Sequence, residues 1–207
     1  MLKKIICFWV CVFSLPLLIW ASGTYKIPED IKVDLKIAKK NLSQAPDSHA
    51  CKFEMAMAYA YSGQIKKGWD MLKQVPEPYA DDVIKQYEPL EKKYPQEWRY
   101  PFKLAFGYYF KKDKQGAIDA FNRVLKIDPQ HIWAMGFIGL VKGDMGKVDE
   151  TIDICKKALE IEPNATAIHF LLGEAYRKKG QYKQSLSHFF KVGQLQTKES
   201  FSKQYDD

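Results

Sequence analysis

Residues 104–129 read LAFGYYFKKDKQGAIDAFNRVLKIDP, and residues 138–163 repeat the same arrangement as IGLVKGDMGKVDETIDICKKALEIEP. Each copy ends on a proline, and Pro95, Pro129 and Pro163 lie 34 residues apart. A further copy without the final proline continues from Leu172. A fixed period of this length is typical of stacked helix pairs, because each pair buries its apolar face only against its neighbours.

The copies match where neighbouring helices of such a stack would meet. Small residues such as Gly139 and Gly173 let helices approach closely, and bulky ones such as Phe121 and Phe189 fill the space between them. The pattern resembles the tetratricopeptide repeat (TPR) family, whose members are helix–turn–helix binding modules. The resemblance implies an all-α fold, a right-handed solenoid of antiparallel repeats. The aligned sets are Leu104, Ile138 and Leu172; Ala105, Gly139 and Gly173; Tyr108, Lys142 and Tyr176; Ala117, Thr151 and Ser185; Phe121, Cys155 and Phe189; and Val124, Ala158 and Val192.

The array is predicted to begin irregularly and to end without a capping helix. An inserted helix near 80–94 carries Pro89, which should kink or split it because proline lacks an amide donor. This helix could pair with residues 65–75 as a degenerate repeat or pack as an extra element. The predicted divisions are a linker and N-terminal helix at 24–48, a divergent hairpin with the inserted helix at 49–97, three repeats at 98–197 (98–131, 132–165 and 166–197), and a tail at 198–207.

Residues 1–23 have the features of an export signal. Lys3 and Lys4 precede an apolar run from Ile5 to Trp20, and the small residues 21–23 form a signal-peptidase pattern. A cleaved signal peptide is the favoured interpretation, and an uncleaved anchor over residues 5–21 is the alternative. Either one takes the chain out of the cytoplasm. The protein would then be periplasmic or anchored in the membrane facing the periplasm, or secreted if the host is eukaryotic.

The charge of the chain gives little sign of a nucleic-acid partner. Removal of the two leader lysines reduces 32 basic residues to 30 against 25 acidic ones, a net charge of +5. Lysine doublets fall near the predicted carboxyl ends of helices, where cations complement the exposed carbonyls. A nucleic-acid surface would gather such charges on one face. No nucleic-acid partner is therefore expected.

No group of residues points to catalysis, a metal or a cofactor. The histidines at 49, 131, 169 and 188 occur singly, whereas a metal site needs at least three converging ligands, so surface or interface positions are expected. Gly146-Lys147 lacks the leading glycine and the following Ser or Thr of a phosphate-binding loop. Cys51 and Cys155 should lie too far apart along the stack to form a disulfide. The chain is not predicted to be an enzyme.

The resemblance places the protein-binding groove on the first helices of the hairpins, which line the concave side of TPR arrays. Phe106 and Trp133 would lie at its centre together with Phe102 and Tyr109. Arg99 and Lys103 would favour a partner that carries acids beside apolar anchors. The full predicted groove is Phe53, Met57, Tyr61, Arg99, Phe102, Lys103, Phe106, Tyr109, Phe110, Trp133, Phe137, Leu140, Phe170, Glu174 and Arg177.

Something must cover so much apolar surface, because a solvated groove would not be expected to carry it. The cover is either a partner protein or the chain itself, through the inserted helix or through Phe201 and Tyr205 of the tail. Two functions remain open. The first is an adaptor or scaffold that binds a segment or helix of another envelope or exported protein. The second is a structural subunit whose uncapped array ends stack into a homo-oligomer.

Overall fold

The computed structural model describes the backbone of residues 25–205 and the side chains of residues 25–197. The predicted leader and the side chains of Phe201 and Tyr205 lie outside the described residues. Between residues 25 and 205 the secondary structure is entirely helical. The helices are α1 Glu29–Gln44, α2 His49–Tyr61, α3 Ile65–Leu72, α4 Tyr79–Lys93, α5 Arg99–Phe110, α6 Lys114–Ile127, α7 Ile132–Asp144, α8 Val148–Ile161, α9 Thr166–Lys178 and α10 Tyr182–Tyr205.

The three predicted repeats are present as the hairpins α5–α6, α7–α8 and α9–α10, stacked in chain order. Their small residues lie at the closest helix contacts. A methyl group added at Gly173 would lie 2.7 Å from the Phe189 ring, and one added at Gly139 would lie 2.8 Å from the Cys155 sulfur. Bulky and small residues therefore alternate across each hairpin as the 34-residue pattern predicts.

The turn inside each repeat hairpin requires one residue in the left-handed region. Gly146 and Gly180 have φ angles of +77° and +75°, and Lys112, one period earlier, has a φ of +63°. A side chain in this conformation is strained because its Cβ crowds the following carbonyl. The first repeat therefore carries a local strain that the other two avoid with glycine.

The inserted helix is an extra element that packs on α5. Val83 and Ile84 of α4 approach α5 at Gly107, where an added methyl group would lie 3.0–3.1 Å from their side chains. Hairpin α2–α3 forms without it. The helix runs unbroken through Pro89, so the predicted split is wrong. Pro89 and Lys85 are both exposed, and water can therefore satisfy the carbonyl that the proline leaves unbonded.

The last helix is longer than predicted. The sequence pattern ends near residue 195, whereas α10 continues as helix to Tyr205 and includes most of the predicted tail. In the part of the chain that the structure describes, no helix combines the length and apolar character needed to cross a bilayer.

Candidate interaction surface

The aromatic centre of the predicted groove is buried inside the protein. The buried members of the predicted set are Phe53, Met57, Tyr61, Phe102, Lys103, Phe106, Trp133 and Phe137. Phe106 is only 3% exposed, and its ring contacts Phe137 at a centroid distance of 4.9 Å and Phe121 at 5.8 Å. These side chains form core and do not present an open surface, which agrees with the alternative that the chain itself covers them.

The N-terminal hairpin α2–α3 covers this region. Tyr61 at the end of α2 packs edge-on against Trp98 at 5.2 Å and Phe102 at 5.5 Å. Trp69 of α3 lies 6.4 Å from Tyr109, measured between ring centroids. The hairpin was predicted to line the groove as one more repeat. It instead lies over α5 and reaches α7, which it also contacts.

The linker before α1 covers a second part of the predicted centre. The Trp133 indole Nε1 donates a hydrogen bond of 3.1 Å to the Tyr25 hydroxyl, and the two rings meet edge-on at 5.1 Å. On its other side, Trp133 lies so close to the turn after α2 that any side chain at Gly63 would overlap it. The cover therefore comes from residues 25–72, in addition to the predicted inserted helix.

Two of the three predicted groove cations, Arg99 and Lys103, are bound by acids of the N-terminal helices. Arg99 donates hydrogen bonds of 2.6 Å to Asp34 and 2.9 Å to Asp30, both on α1. Lys103, which is buried, lies 2.6 Å from the Glu54 carboxylate on α2. Sequence reasoning expected acids beside apolar anchors, and the N-terminal helices supply both. A buried cation that lost its acid would be strongly destabilising, so this charge pattern helps to hold the hairpin in place.

The Glu54 carboxylate also joins the inserted helix to the cover. The Tyr87 hydroxyl of α4 donates a hydrogen bond to Glu54, and the Lys103 ammonium lies 4.9 Å from the centre of the Tyr87 ring. Burial, followed by the negative charge of Glu54, raises the pKa of Tyr87 well above its usual range. Tyr87 therefore remains a neutral donor. Together these contacts connect α2, α4 and α5.

The remaining predicted groove residues are less deeply buried than the aromatic centre of the groove. Tyr109, Phe110 and Leu140 are half-buried. Tyr109 donates a hydrogen bond of 2.7 Å to Asp144, and burial together with this bond raises its pKa to about 12. Glu174 and Arg177 form an exposed ion pair of 2.7 Å.

Phe170 shows where the cover by the N-terminal hairpin ends. Phe170 corresponds, two periods later, to the fully buried Phe102, yet it remains 51% exposed. Its ring packs on one side against Phe189 at 5.7 Å, as the Phe102 ring packs on Phe121 at 5.3 Å. The far end of the array therefore keeps an aromatic side chain half open to solvent.

The larger open apolar surface is the outer face of α10, which sequence reasoning missed. Tyr182, Leu186 and Phe190 are spaced four residues apart on this face, and Leu186 and Phe190 are each 69% exposed. In the two preceding repeats the residues equivalent to Leu186 are Ile118 and Ile152, and both are only 5% exposed. The alignment of the three 34-residue copies could have identified this surface. A position that is apolar in all three copies should be buried, and the last copy has no following hairpin in the described residues.

The structure also brings together two histidines that were expected to be isolated. The Nδ1 atoms of His169 and His188 lie 2.9 Å apart, and His169 Nε2 lies 2.9 Å from the Pro163 carbonyl oxygen. Burial lowers the pKa of both imidazoles. Within residues 25–205, no three or more His, Cys, Asp or Glu side chains are grouped as a metal site requires. The histidine pair therefore joins α9 to α10 as a neutral hydrogen-bonded contact.

His131 is buried, so of the two positions expected for the histidines, surface or interface, the surface position does not apply to it. Its Nδ1 accepts a 3.1 Å hydrogen bond from the Ala134 amide and caps the first turn of α7. Its ring packs against Trp98 at 4.4 Å. Burial lowers its pKa to about 4, which keeps the imidazole neutral and Nδ1 free to accept.

Comparisons with known proteins agree with this architecture. Two tetratricopeptide repeat family models match residues 102–131 and 154–187. A TPR repeat-containing protein of Methanocaldococcus jannaschii is 31% identical over 114 residues, which cover 54% of this chain and 19% of that protein. The BBSome complex member BBS4 of Bos taurus is 23% identical over 82% of this chain and 36% of its own. The chain thus spans between about a fifth and about a third of these relatives.

Solved structures show the same fold. A crystal structure of MamA superposes with a TM-score of 0.55 at 21% identity, covering 83% of this chain and 85% of that one. A thermophilic TPR protein from Thermus thermophilus gives a TM-score of 0.53 at 16% identity, covering 78% and 80%. Identities this low establish the helical solenoid fold alone.

Proposed function

We propose that this chain, an array of tetratricopeptide repeats, is an exported scaffold of the cell envelope that holds another protein at the C-terminal end of its stack. The observation that carries the proposal is the exposure of Leu186, whose counterparts in both interior repeats are buried. A contiguous exposed apolar face on a soluble domain commonly marks an interaction site. The aromatic groove is not part of this proposal, because the N-terminal hairpin occupies it.

The open end has the composition of a binding surface. Tyr182, Leu186 and Phe190 supply one apolar stripe on α10, and Phe170 lies against Phe189 of the same helix. Aromatic side chains bury a large area while losing few rotors, which makes them effective interface anchors. A macromolecular partner therefore fits this surface better than a small molecule.

The location in the envelope rests on residues 1–23. Their positive start, apolar run and small-residue site together are typical of a cleaved leader. Cleavage after Gly23 would leave Tyr25 and its hydrogen bond to Trp133 intact. Mass spectrometry of the native protein should find a chain beginning at residue 24. An intact Met1 in membranes would indicate the anchor instead, and an intact Met1 in a soluble cytoplasmic pool would contradict export.

A second candidate function, self-assembly, is favoured by exposed apolar residues at both ends of the chain. Val33 and Ile37 lie one turn apart on α1 and are more than half exposed, as are Leu186 and Phe190 on α10. Contact between unlike ends of successive copies would form a ring or an open fibre. Light scattering coupled to size-exclusion chromatography separates the two functions. A monomer supports the scaffold, and a concentration-dependent oligomer supports self-assembly.

The scaffold function is tested by capture from native envelope extract with the chain that begins at residue 24. Leu186→Asp should remove the captured partner, whereas Val33→Asp, an equivalent change on an exposed apolar residue of α1, should leave capture unchanged. Both variants should keep the circular-dichroism spectrum of the parent, because both residues lie on exposed helix faces. Equal capture by the two variants would contradict the proposed function.

A further inference from the structure

Two junctions between successive repeats lie inside the array. They indicate which kind of helix should pack on the exposed face of α10. Helix α7 packs on α6, and α9 packs on α8. The two arriving helices bury equivalent residues, spaced by four and then three positions. They are Ala134, Ile138 and Val141 on α7, and Ile168, Leu172 and Ala175 on α9. An aliphatic stripe at i, i+4 and i+7 lies along one face of a helix. Both helices that continue the stack therefore carry the same buried aliphatic stripe.

Helix α10 has an apolar residue at the equivalent position and a second apolar residue one turn further on. Leu186 occupies the place of Ile118 and Ile152, which are both buried. One turn further on, the interior repeats have the exposed polar residues Asn122 and Lys156, whereas α10 has Phe190. A helix that covered both Leu186 and Phe190 would bury more apolar surface than the interior helices do. The occupant should thus carry an additional apolar residue beyond the i, i+4, i+7 stripe.

The charge of the end repeat restricts the occupant further. Residues 166–197 contain five basic side chains and one acid, a net charge of +4. The single acid, Glu174, is paired with Arg177. Between residues 182 and 197 helix α10 has no acid, and Lys183 lies next to the apolar stripe. Complementary charge speeds encounter and fixes register. The structure therefore favours a partner with acids flanking its apolar stripe.

A second copy of this chain fits that requirement poorly. The exposed apolar pair on α1 lies among four lysines and three acids, and two of those acids, Asp30 and Asp34, are already bound by Arg99. Contact between this basic helix and the basic end repeat would bring like charges together. Like charges across an interface act against association. The end is therefore better suited to a different protein.

We infer that the open end binds an amphipathic helix of another protein, one that carries aliphatic residues at i, i+4 and i+7 and acidic residues on its flanks. The helix adds to the stack as the first helix of one more repeat. This inference rests on the proposed function, since it identifies the class of partner for the same surface. It also explains why Leu186 and Phe190 remain exposed in the isolated chain.

A designed peptide provides the direct test. The probe is a stapled helix of about four turns with Ile, Leu and Ala at i, i+4 and i+7, one further leucine beyond this stripe to cover Phe190, and glutamates on both flanks. Two controls have the same length: one carries lysines in place of the glutamates, and one has the apolar residues scrambled around the helix. Binding to the chain that begins at residue 24 is followed by fluorescence anisotropy. The glutamate probe should bind, and each control should bind at least about tenfold more weakly.

Variants then locate the site on the array. Leu186→Asp and the uncharged Leu186→Ala should each weaken the glutamate probe, the first by at least about tenfold, because a buried leucine contributes that much to affinity. Val33→Asp should leave the Kd unchanged. Higher salt should weaken binding, since the flanking charges face solvent. Probe affinity that is independent of Leu186, or equal affinity for the lysine control, would overturn the inference.

Other occupants give different results in the same samples. Binding to vesicles of anionic phospholipid that depends on Leu186, without binding of the peptide, would identify a membrane surface and overturn the inference. Self-association lost in Leu186→Asp would identify a second copy and overturn it as well. Failure of the proposed function can be distinguished from failure of the helix inference. If the proposed function fails, capture from native extract is independent of Leu186. Capture that requires Leu186 without binding of the probe would refute only the helix inference.

Discussion

Replacing Phe106 by alanine distinguishes a buried core residue from an open binding residue. The Phe106 side chain is 3% exposed and lies against Phe137, Phe121 and Phe102 at centroid distances of 4.9–5.8 Å. Truncation of a buried phenylalanine to alanine costs about 3–5 kcal/mol, from lost apolar burial and from the cavity that remains. For a chain of this size that corresponds to a fall of roughly 6–20 °C in the midpoint of thermal unfolding.

The assay is urea unfolding of the chain that begins at residue 24, followed by circular dichroism and tryptophan fluorescence. Phe190→Ala is the matched control, because it makes the same chemical change at a side chain that is 69% exposed. The control should change the free energy of unfolding by less than about 1 kcal/mol. If Phe106→Ala were as mild as the control and also abolished partner capture, Phe106 would belong to an open groove. Its assignment to the buried core would then be refuted.

Four further substitutions or measurements test individual features. Lys112→Gly should raise the free energy of unfolding by about 1 kcal/mol, because it removes the only non-glycine residue with positive φ among the described residues; an unchanged urea midpoint would contradict this. Gly173→Leu should cost roughly 1–3 kcal/mol through overlap with Phe189, whereas Gly193→Leu, where an added methyl group meets nothing within 4 Å, should not. His131 has a folded pKa of about 4 against 6.5 unfolded, so the unfolded state binds more protons between these values and stability falls as pH falls. His131→Asn should keep the cap. Its free energy of unfolding should fall by roughly 2 kcal/mol less between pH 7 and pH 5 than that of the parent protein; an equal pH dependence of the variant and the parent would refute this. Burial raises the pKa of Cys155 to about 12, so in the chain that begins at residue 24 a thiol reagent should modify Cys51 and not Cys155 before unfolding.

The periodic part of the fold could be predicted from the sequence because its determinants are local. Each 34-residue copy encodes its own two helices and their close contact, as Gly173 and Phe189 show. The length of α10 could not be read this way. Its residues beyond 195 continue as helix without the repeat pattern, so periodicity alone places the end too early.

The cover of the groove could not be predicted because it depends on contacts between distant residues. Arg99 and Asp34 are 65 positions apart, Lys103 and Glu54 are 49 apart, and Trp133 and Tyr25 are 108 apart. The repeat pattern identified α2 as one more groove-lining helix, since its residues match the pattern. It does not specify that the 15-residue insertion leaves hairpin α2–α3 lying over α5.

The amino-acid composition nevertheless indicated that the groove must be covered. Sequence reasoning required a cover for the aromatic residues and acids for Arg99 and Lys103, and the N-terminal helices provide both. It sought those features in a partner, in the inserted helix or in the tail. The exposed apolar position at Leu186 could also have been identified from the sequence. Comparison with Ile118 and Ile152 predicts burial at this position, and among the described residues no further hairpin follows α10 to provide it.

Hydroxyl-radical footprinting of the unmodified chain from residue 24 tests the central claim most directly. The claim is that the N-terminal hairpin fills the aromatic groove while the outer face of α10 stays open. Oxidation rates of aromatic side chains report their solvent exposure without any substitution. We predict rapid modification of Tyr182 and Phe190, with Phe106 and Trp133 protected until the chain unfolds. Modification of Phe106 and Trp133 as fast as that of Phe190 in the folded chain would contradict the claim.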